Sequence, residues 1–264
     1  AKNSNCIITQ LDSLFMKALI LAAGAGSRLN ETTNGLPKPL VDINGISLIQ
    51  RQINLLKKKS IEKIFVIRGF KSNEFHLDDV SYIEDLEYDK HDQLGSLIVA
   101  ESELSGDLLI TFGDIIFDED ILDQVLSSNS NFGVAIDLNW AKSYEKRIDN
   151  PIELAGKVLV KDGVIKQFSE NLPIKKEGFL IGEFLGIIKL NNASTVILQK
   201  SLQQLKKTNN GKFHDAQSFQ CAKITDILQE LVEINIEINP IFVNGRWCEI
   251  DTPKDLEIAR KQFS

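Results

Sequence analysis

The chain has 264 residues, 43% hydrophobic and 25% charged, which suits one large α/β domain with a sizeable core. Its 30 basic and 37 acidic residues leave a net charge of −7, arguing against nucleic acid or an anionic membrane as the main partner. No apolar run reaches the roughly 18 residues of a membrane span, and the 3 cysteines and 3 histidines lack metal-site or disulfide spacing, so a reduced, cytoplasmic protein is expected.

Residues 1–15 lack the basic start and long apolar core of a signal peptide. They read as an N-terminal extension ahead of Met16, with one domain over 16–264. Ala18-Leu19-Ile20 forms a buried first strand. A helical pattern runs from Ile46 to about Lys58, followed by strands at 64–67 and 80–83. Helical spacing returns over 94–104, then come a fourth strand at 108–112, a helix near 120–127 and a fifth strand at 132–136. This alternation predicts an α/β fold with a mostly parallel, Rossmann-like sheet flanked by helices. From about residue 150, glycines and a proline punctuate short strands, which predicts a hairpin-rich portion running to 186–190. Helices follow at 193–206 and 224–232, then a last strand pair at 238–243 and 246–250. A C-terminal helix begins with Asp251 or Thr252 as cap and Pro253 in its first turn.

The first strand leads into Leu21-Ala22-Ala23-Gly24-Ala25-Gly26-Ser27-Arg28-Leu29, closed by Pro37-Lys38-Pro39-Leu40. Two glycines directly after a strand let the backbone turn tightly and bring bare N–H groups up to an anion. Arg28 and Lys38 add the cationic side chains that polyphosphate binding needs. No glycine has the Gly-Lys-Ser/Thr sequel of a Walker loop. The dinucleotide fingerprint is excluded too, because its third glycine is replaced by Leu29. A strand, a glycine turn and two cations together suggest a nucleoside triphosphate site; an ordinary strand–turn–helix corner with solvated Lys and Arg is the alternative.

Ligands on such sheets bind beyond the carboxyl ends of the strands. Gly113-Asp114 ends the fourth strand there, and Asp114 can hold a magnesium ion against phosphates or simply cap the following turn. Just after the fifth strand, where an acceptor should enter, lie Asp137, Trp140 and Arg147. Arg147 is a candidate ligand for an acceptor phosphate and Trp140 for an apolar or cationic head group; ordinary surface residues are the alternative.

The window LAAGxGxRL followed by PKxL resembles the signature of nucleotidyltransferases that make activated sugars and activated phospho-alcohols. The resemblance covers residues 16–262 and is nearest the branch containing choline-phosphate, phosphonate and inositol-phosphate cytidylyltransferases. It implies Lys38 and Arg28 as catalytic residues, and a nucleotide held along Leu21, Ala22, Ala23, Gly24, Ala25 and Gly26. Gln93, Gly95 and Ser96 occupy the position where relatives read the base, although ordinary capping of a helix explains the same residues. It also implies Mg2+ held by Asp114 and by Asp251 in Glu249-Ile250-Asp251, with Glu249 less secure, and places Glu183 in the stretch lining the acceptor pocket. An exposed strand carboxylate is the plain alternative for Glu183. One departure is Lys223, where relatives of this subtype often carry an acidic residue; it marks a different acceptor. The implied reaction joins a phosphate or phosphonate monoester to the nucleotidyl group of CTP with release of pyrophosphate. Alternatives are a sugar-1-phosphate nucleotidyltransferase, a molybdopterin-type nucleotide transferase and a catalytically silent nucleotide-binding module.

Overall fold

A computed structural model describes residues 15–26, 29, 35–145, 147, 151–208 and 211–264. In chain order the first half comprises β1 (Lys17–Ala22), β2 (Asp42–Ile43), β3 (Ile46–Ser47), α1 (Leu48–Lys58), β4 (Ile64–Arg68), β5 (Ser81–Glu84), α2 (Gln93–Val99), β6 (Leu108–Phe112), β7 (Ile115–Phe117), α3 (Glu119–Ser127) and β8 (Phe132–Asp137). The second half adds α4 (Ala141–Tyr144), β9 (Lys157–Lys161), β10 (Val164–Ser169), β11 (Leu180–Leu190), α5 (Asn192–Thr208), α6 (Ile224–Glu233), β12 (Asn239–Phe242), β13 (Trp247–Glu249) and α7 (Pro253–Gln262). Among the described residues no helix is long and apolar enough to cross a membrane.

After Lys17, β1 is apolar because both of its faces are covered. Leu19 and Leu21 enter a core packed under α2 and α6. Ala18, Ile20 and Ala22 point the other way, into a second core beneath α1 and α3, as the two-residue period of a strand requires. Phe65 and Ile67 of β4 alternate with Ile64 and Val66 in the same manner. At about 1.5–3 kcal/mol per fully buried aliphatic side chain, these central strands anchor the domain.

The sheet is parallel from β5 through β4 and β1 to β6. β11 then runs antiparallel against β6, β8 and β9, its register shifting between Phe184 and Ile188. The expected hairpin-rich portion is the β9–β10 hairpin beside this long strand. The short strand expected at 186–190 is the last half of β11.

Two expectations are corrected. The last two strands do not pair with each other: β12 lies parallel to β8, and β13 lies antiparallel to β7 in a separate two-stranded sheet. The helix expected over 94–104 ends at Val99 and continues as a 3-10 turn at Glu101–Glu103. Ala100 and Leu104 still reach the core, so the apolar spacing persists after the helix stops.

Candidate active site

The turn after β1 is shaped around a lysine. Gly26 has φ +58, and a Cβ there would lie 2.3 Å from Lys38 Cγ, so the stem of Lys38 occupies the space a side chain would need. Pro37 and Pro39 hold Lys38 in a single 3-10 turn. From there its Nζ donates to Asp251 Oδ1 and stands 3.6 Å from Asp114 Oδ2. Burial opposes the charge on Lys38, but the carboxylates of Asp114 and Asp251 outweigh it and hold the ammonium above its usual range. A Cβ on Gly24 would meet nothing within 4 Å, and this glycine faces a cavity of about 450 Å³. Arg28 lies outside the described residues.

Backbone pairing gathers the carboxylates. Glu249 sits opposite Ile115 in the β13–β7 ladder. The next amide, Ile250 N–H, donates to Asp114 O at 2.8 Å, which sets Asp251 beside Asp114. Oxygens of Asp114, Glu249 and Asp251 lie within 4.8 Å of one another. Burial first, then repulsion from Asp251 and Asp114, pushes the Glu249 carboxyl up to about 8. Burial likewise raises Asp114, against the pull of Lys38. Crowded hard oxygen donors of this kind are relieved by a proton or by a divalent cation.

Two buried residues brace this cluster. Gln52 of α1 donates to Phe112 O and Ile115 O at 2.8 Å each and accepts from Thr111 Oγ1 at 2.9 Å, pinning both sides of the turn that carries Asp114. Asp255 caps α7 from within: its Oδ2 accepts from Asp251 N–H at 3.1 Å and from Thr252 N–H at 2.9 Å. Its Oδ1 accepts from Arg147 Nε at 2.7 Å. Gln52 carried a sequence signal, a polar residue on the buried face of α1 between Ile49 and Ile53.

Of the residues expected at the site, Leu21, Ala23, Gly24, Lys38, Asp114 and Asp251 line the floor and near side of the cavity. Gln93, Ser96 and Glu183 line it as well. Gln93 Oε1 accepts from Ile224 N–H at 3.3 Å, and Ser96 donates to Asp85 Oδ2 at 2.7 Å. Gly95 is not a lining residue; a Cβ there would lie 2.2 Å from the ring of His91, which does line the cavity. Ala22 turns into the core under α1, and Ala25 is half-buried outside the lining.

Three acceptor candidates stand elsewhere than expected. Trp140 is buried behind the wall, its indole N–H donating to Ile181 O at 3.2 Å and its ring edge-on to Tyr144, so it cannot meet a head group. The Arg147 side chain is 4% exposed, paired with Asp255 and lying over the Tyr144 ring at 4.8 Å, and is not presented to an acceptor phosphate. Asp137 accepts from Trp247 Nε1 at 3.0 Å and so orients a cavity residue without lining the cavity itself. Beside it, Glu183 Oε1 accepts from Tyr144 Oη at 2.5 Å, and burial pushes the Glu183 carboxyl up to about 7 despite that bond. Sequence reasoning did not place Glu170, His91, Tyr88 or Trp247 on the cavity; Trp247 heads the stretch carrying Glu249 and Asp251 and His91 directly precedes the one carrying Gln93, while Glu170 and Tyr88 belong to no motif.

A glycine turn, a lysine and clustered carboxylates beyond the carboxyl edge of the parallel strands make a site suited to a phosphate-bearing nucleotide, and the comparisons with known proteins show a nucleotidyltransferase. The family model of MobA-like NTP transferase domains matches residues 18–158, more than half of the chain, and the protein belongs to that family. It is 27% identical over 254 residues to the CTP:phosphoglutamine cytidylyltransferase of Campylobacter jejuni, covering 92% of this chain and 98% of that one. It is also 30% identical over 249 residues to the bifunctional protein GlmU of Methanococcus aeolicus, covering 91% of this chain but about half, 53%, of the relative. The fold matches that of the CTP:phosphocholine cytidylyltransferase of Streptococcus pneumoniae with a TM-score of 0.70 at 18% identity, over 95% of this chain and 100% of the other.

Proposed function

We propose that this protein is a cytidylyltransferase acting on a phosphate monoester, with Mg2+ as its cation. The observation that carries the reading is the meeting of Lys38 with Asp114, Glu249 and Asp251 on the floor of one cavity. In the transfer, an oxygen of the acceptor phosphate attacks the α-phosphorus of CTP. The new O–P bond forms as the bond to the β-phosphate bridging oxygen breaks, and that oxygen leaves with pyrophosphate. The attacking oxygen is already anionic, so no strong general base is required. The difficulty is bringing two anions together. Lys38 supplies positive charge at the reacting phosphorus, Gly24 leaves room on the lining for the backbone to approach a phosphate, and the cavity holds both reactants in line. Asp114, Glu249 and Asp251 fit a hard divalent cation, which when bound supplies further neutralisation of phosphate charge. The choice of CTP is supported by the near full-length likeness to a CTP-using relative.

Pyrophosphate release with Mg2+ and each nucleotide, across phosphocholine, inositol phosphate, phosphoglutamine and hexose 1-phosphates, tests the reading. CTP-dependent release with a non-sugar acceptor is expected. Release with hexose phosphates alone would make the protein a nucleotide-sugar synthase, and none with any acceptor would leave a silent binding module.

A further inference from the structure

The acceptor wall carries charged groups that the transfer chemistry itself does not need, and their placement restricts what the acceptor is. Ser169, Lys157 and Glu183 stand in one row across β10, β9 and β11. Glu170 follows Ser169, so its backbone lies two strand spacings from Glu183, about 10 Å. Glu170 is ion-paired with Lys223 at the start of α6, and both line the cavity. Their side chains stay within reach of a ligand, 28% and 42% exposed. Lys157, in the middle of the row, is already taken by the carbonyls of Glu153 at 2.8 Å and Ala155 at 3.3 Å.

Glu183 differs from its neighbours. It is 3% exposed, yet it lines the cavity, and its Oε2 has no hydrogen-bond partner among the described residues. An unmet buried acceptor of this kind costs about 1–3 kcal/mol or more and is relieved by a donor from a ligand. A quaternary ammonium has no N–H to give it and offers nothing to Lys223. A sugar hydroxyl satisfies Glu183 but brings no charge to either member of the Lys223–Glu170 pair, whose remaining exposed surface it would cover. A ligand bearing both a carboxylate and an ammonium replaces each member of that pair with its own opposite charge, so that neither is stranded.

We propose that the acceptor is a phosphorylated amino acid. Its phosphate lies toward Lys38, an N–H or O–H along its length donates to Glu183 Oε2, and at its far end the carboxylate binds Lys223 while the ammonium binds Glu170. This rests on the transferase reading of the same cavity and names the acceptor class within it.

Two measurements separate this proposal from that reading. The first is kcat/KM with CTP and Mg2+ for phosphoglutamine, O-phosphoserine, phosphoethanolamine, phosphocholine and glucose 1-phosphate. The second is calorimetric binding of the same acceptors without nucleotide. Phosphoethanolamine is phosphoserine without its carboxylate, so their ratio reports the Lys223 contact directly. The better of the two amino-acid phosphates is expected to exceed phosphoethanolamine by about 10- to 100-fold, the worth of one charge-assisted bond. Lys223→Glu is expected to collapse that ratio by about tenfold or more through KM, and the milder Lys223→Gln by less. A ratio near one, or a ratio that neither variant moves, overturns the acceptor class while leaving the transferase intact. Lys223-dependent calorimetric binding of the amino-acid phosphates without turnover upholds the subsite and sinks the transferase. Absence of both turnover and preferential binding overturns both.

Discussion

The floor and the far wall of the cavity are built on different principles. The floor carboxylates are placed by backbone: a ladder pairing sets Glu249 opposite Ile115, one amide ties Ile250 to Asp114, and a helix cap fixes Asp251. On the far wall the strand ladder sets Glu183 opposite Lys157 and Asp137, but the polar atoms are oriented by side-chain pairs: Tyr144 on Glu183, Lys223 on Glu170 and Trp247 on Asp137. Backbone placement tolerates little change, whereas a side-chain pair is altered by one substitution. A chemistry common to many substrates suits the first, and a particular acceptor suits the second.

Breaking the tie between the two regions has the largest expected effect. Arg147 joins them, pairing with Asp255 under the floor and stacking on Tyr144 of the wall. Arg147→Met leaves the fully buried Asp255 carboxylate without its cation and is expected to lower unfolding free energy by about 3–5 kcal/mol, read from urea denaturation. Next is the floor itself. Lys38→Ala removes the positive charge proposed to act at the reacting phosphorus and is expected to cut kcat by about 10²–10³-fold, with a much smaller change in acceptor KM; near-normal turnover would refute the role given to Lys38.

On the wall the expected signature is a pH dependence. Glu183 titrates near 7 in the folded protein against an ordinary value near 4.5. Below the ordinary value both states are protonated and the group contributes nothing to the balance. Between the two values the folded state retains a proton that the unfolded chain has lost, so stability falls as pH rises and levels off above about 7. The decline attributable to Glu183 is about 3 kcal/mol at most. Glu183→Gln should flatten the fall in unfolding free energy between pH 5 and pH 8; an unchanged slope assigns it to other groups. The smallest effect belongs to the brace behind the floor. Gln52→Leu leaves Phe112 O, Ile115 O and the Thr111 hydroxyl without their partner, and is expected to cost about 1–3 kcal/mol and to lower kcat more than it alters KM.

Much of the parallel half was legible because an apolar run buried on both faces has few other interpretations. Lys38, Asp114 and Asp251 were legible because each stands at the end of an element near a glycine or proline signal. The β7–β13 ladder was not, since 3-residue strands show no periodicity and their partners are far apart in sequence. Reading 238–250 as a strand pair followed the usual preference of consecutive strands to be neighbours, which fails where each strand finds a different sheet. Trp140 and Arg147 were misplaced because residue type alone does not separate a ligand contact from a buried brace. Trp140 proved to be core, and Arg147 is neutralised by Asp255 from a helix more than 100 positions later.

Lys38 and Asp251 meet across 213 residues of sequence. On a ribosome, the glycine turn and the first parallel strands emerge long before the strand and helix that bring Glu249 and Asp251. The loop to be closed is long, and its entropy is recovered only when β13 and α7 dock. A nascent chain halted at any earlier point would lack two of the three clustered carboxylates and is expected to transfer nothing. Catalytic competence would arrive in one late step, making activity during synthesis a sensitive clock for completion of the fold.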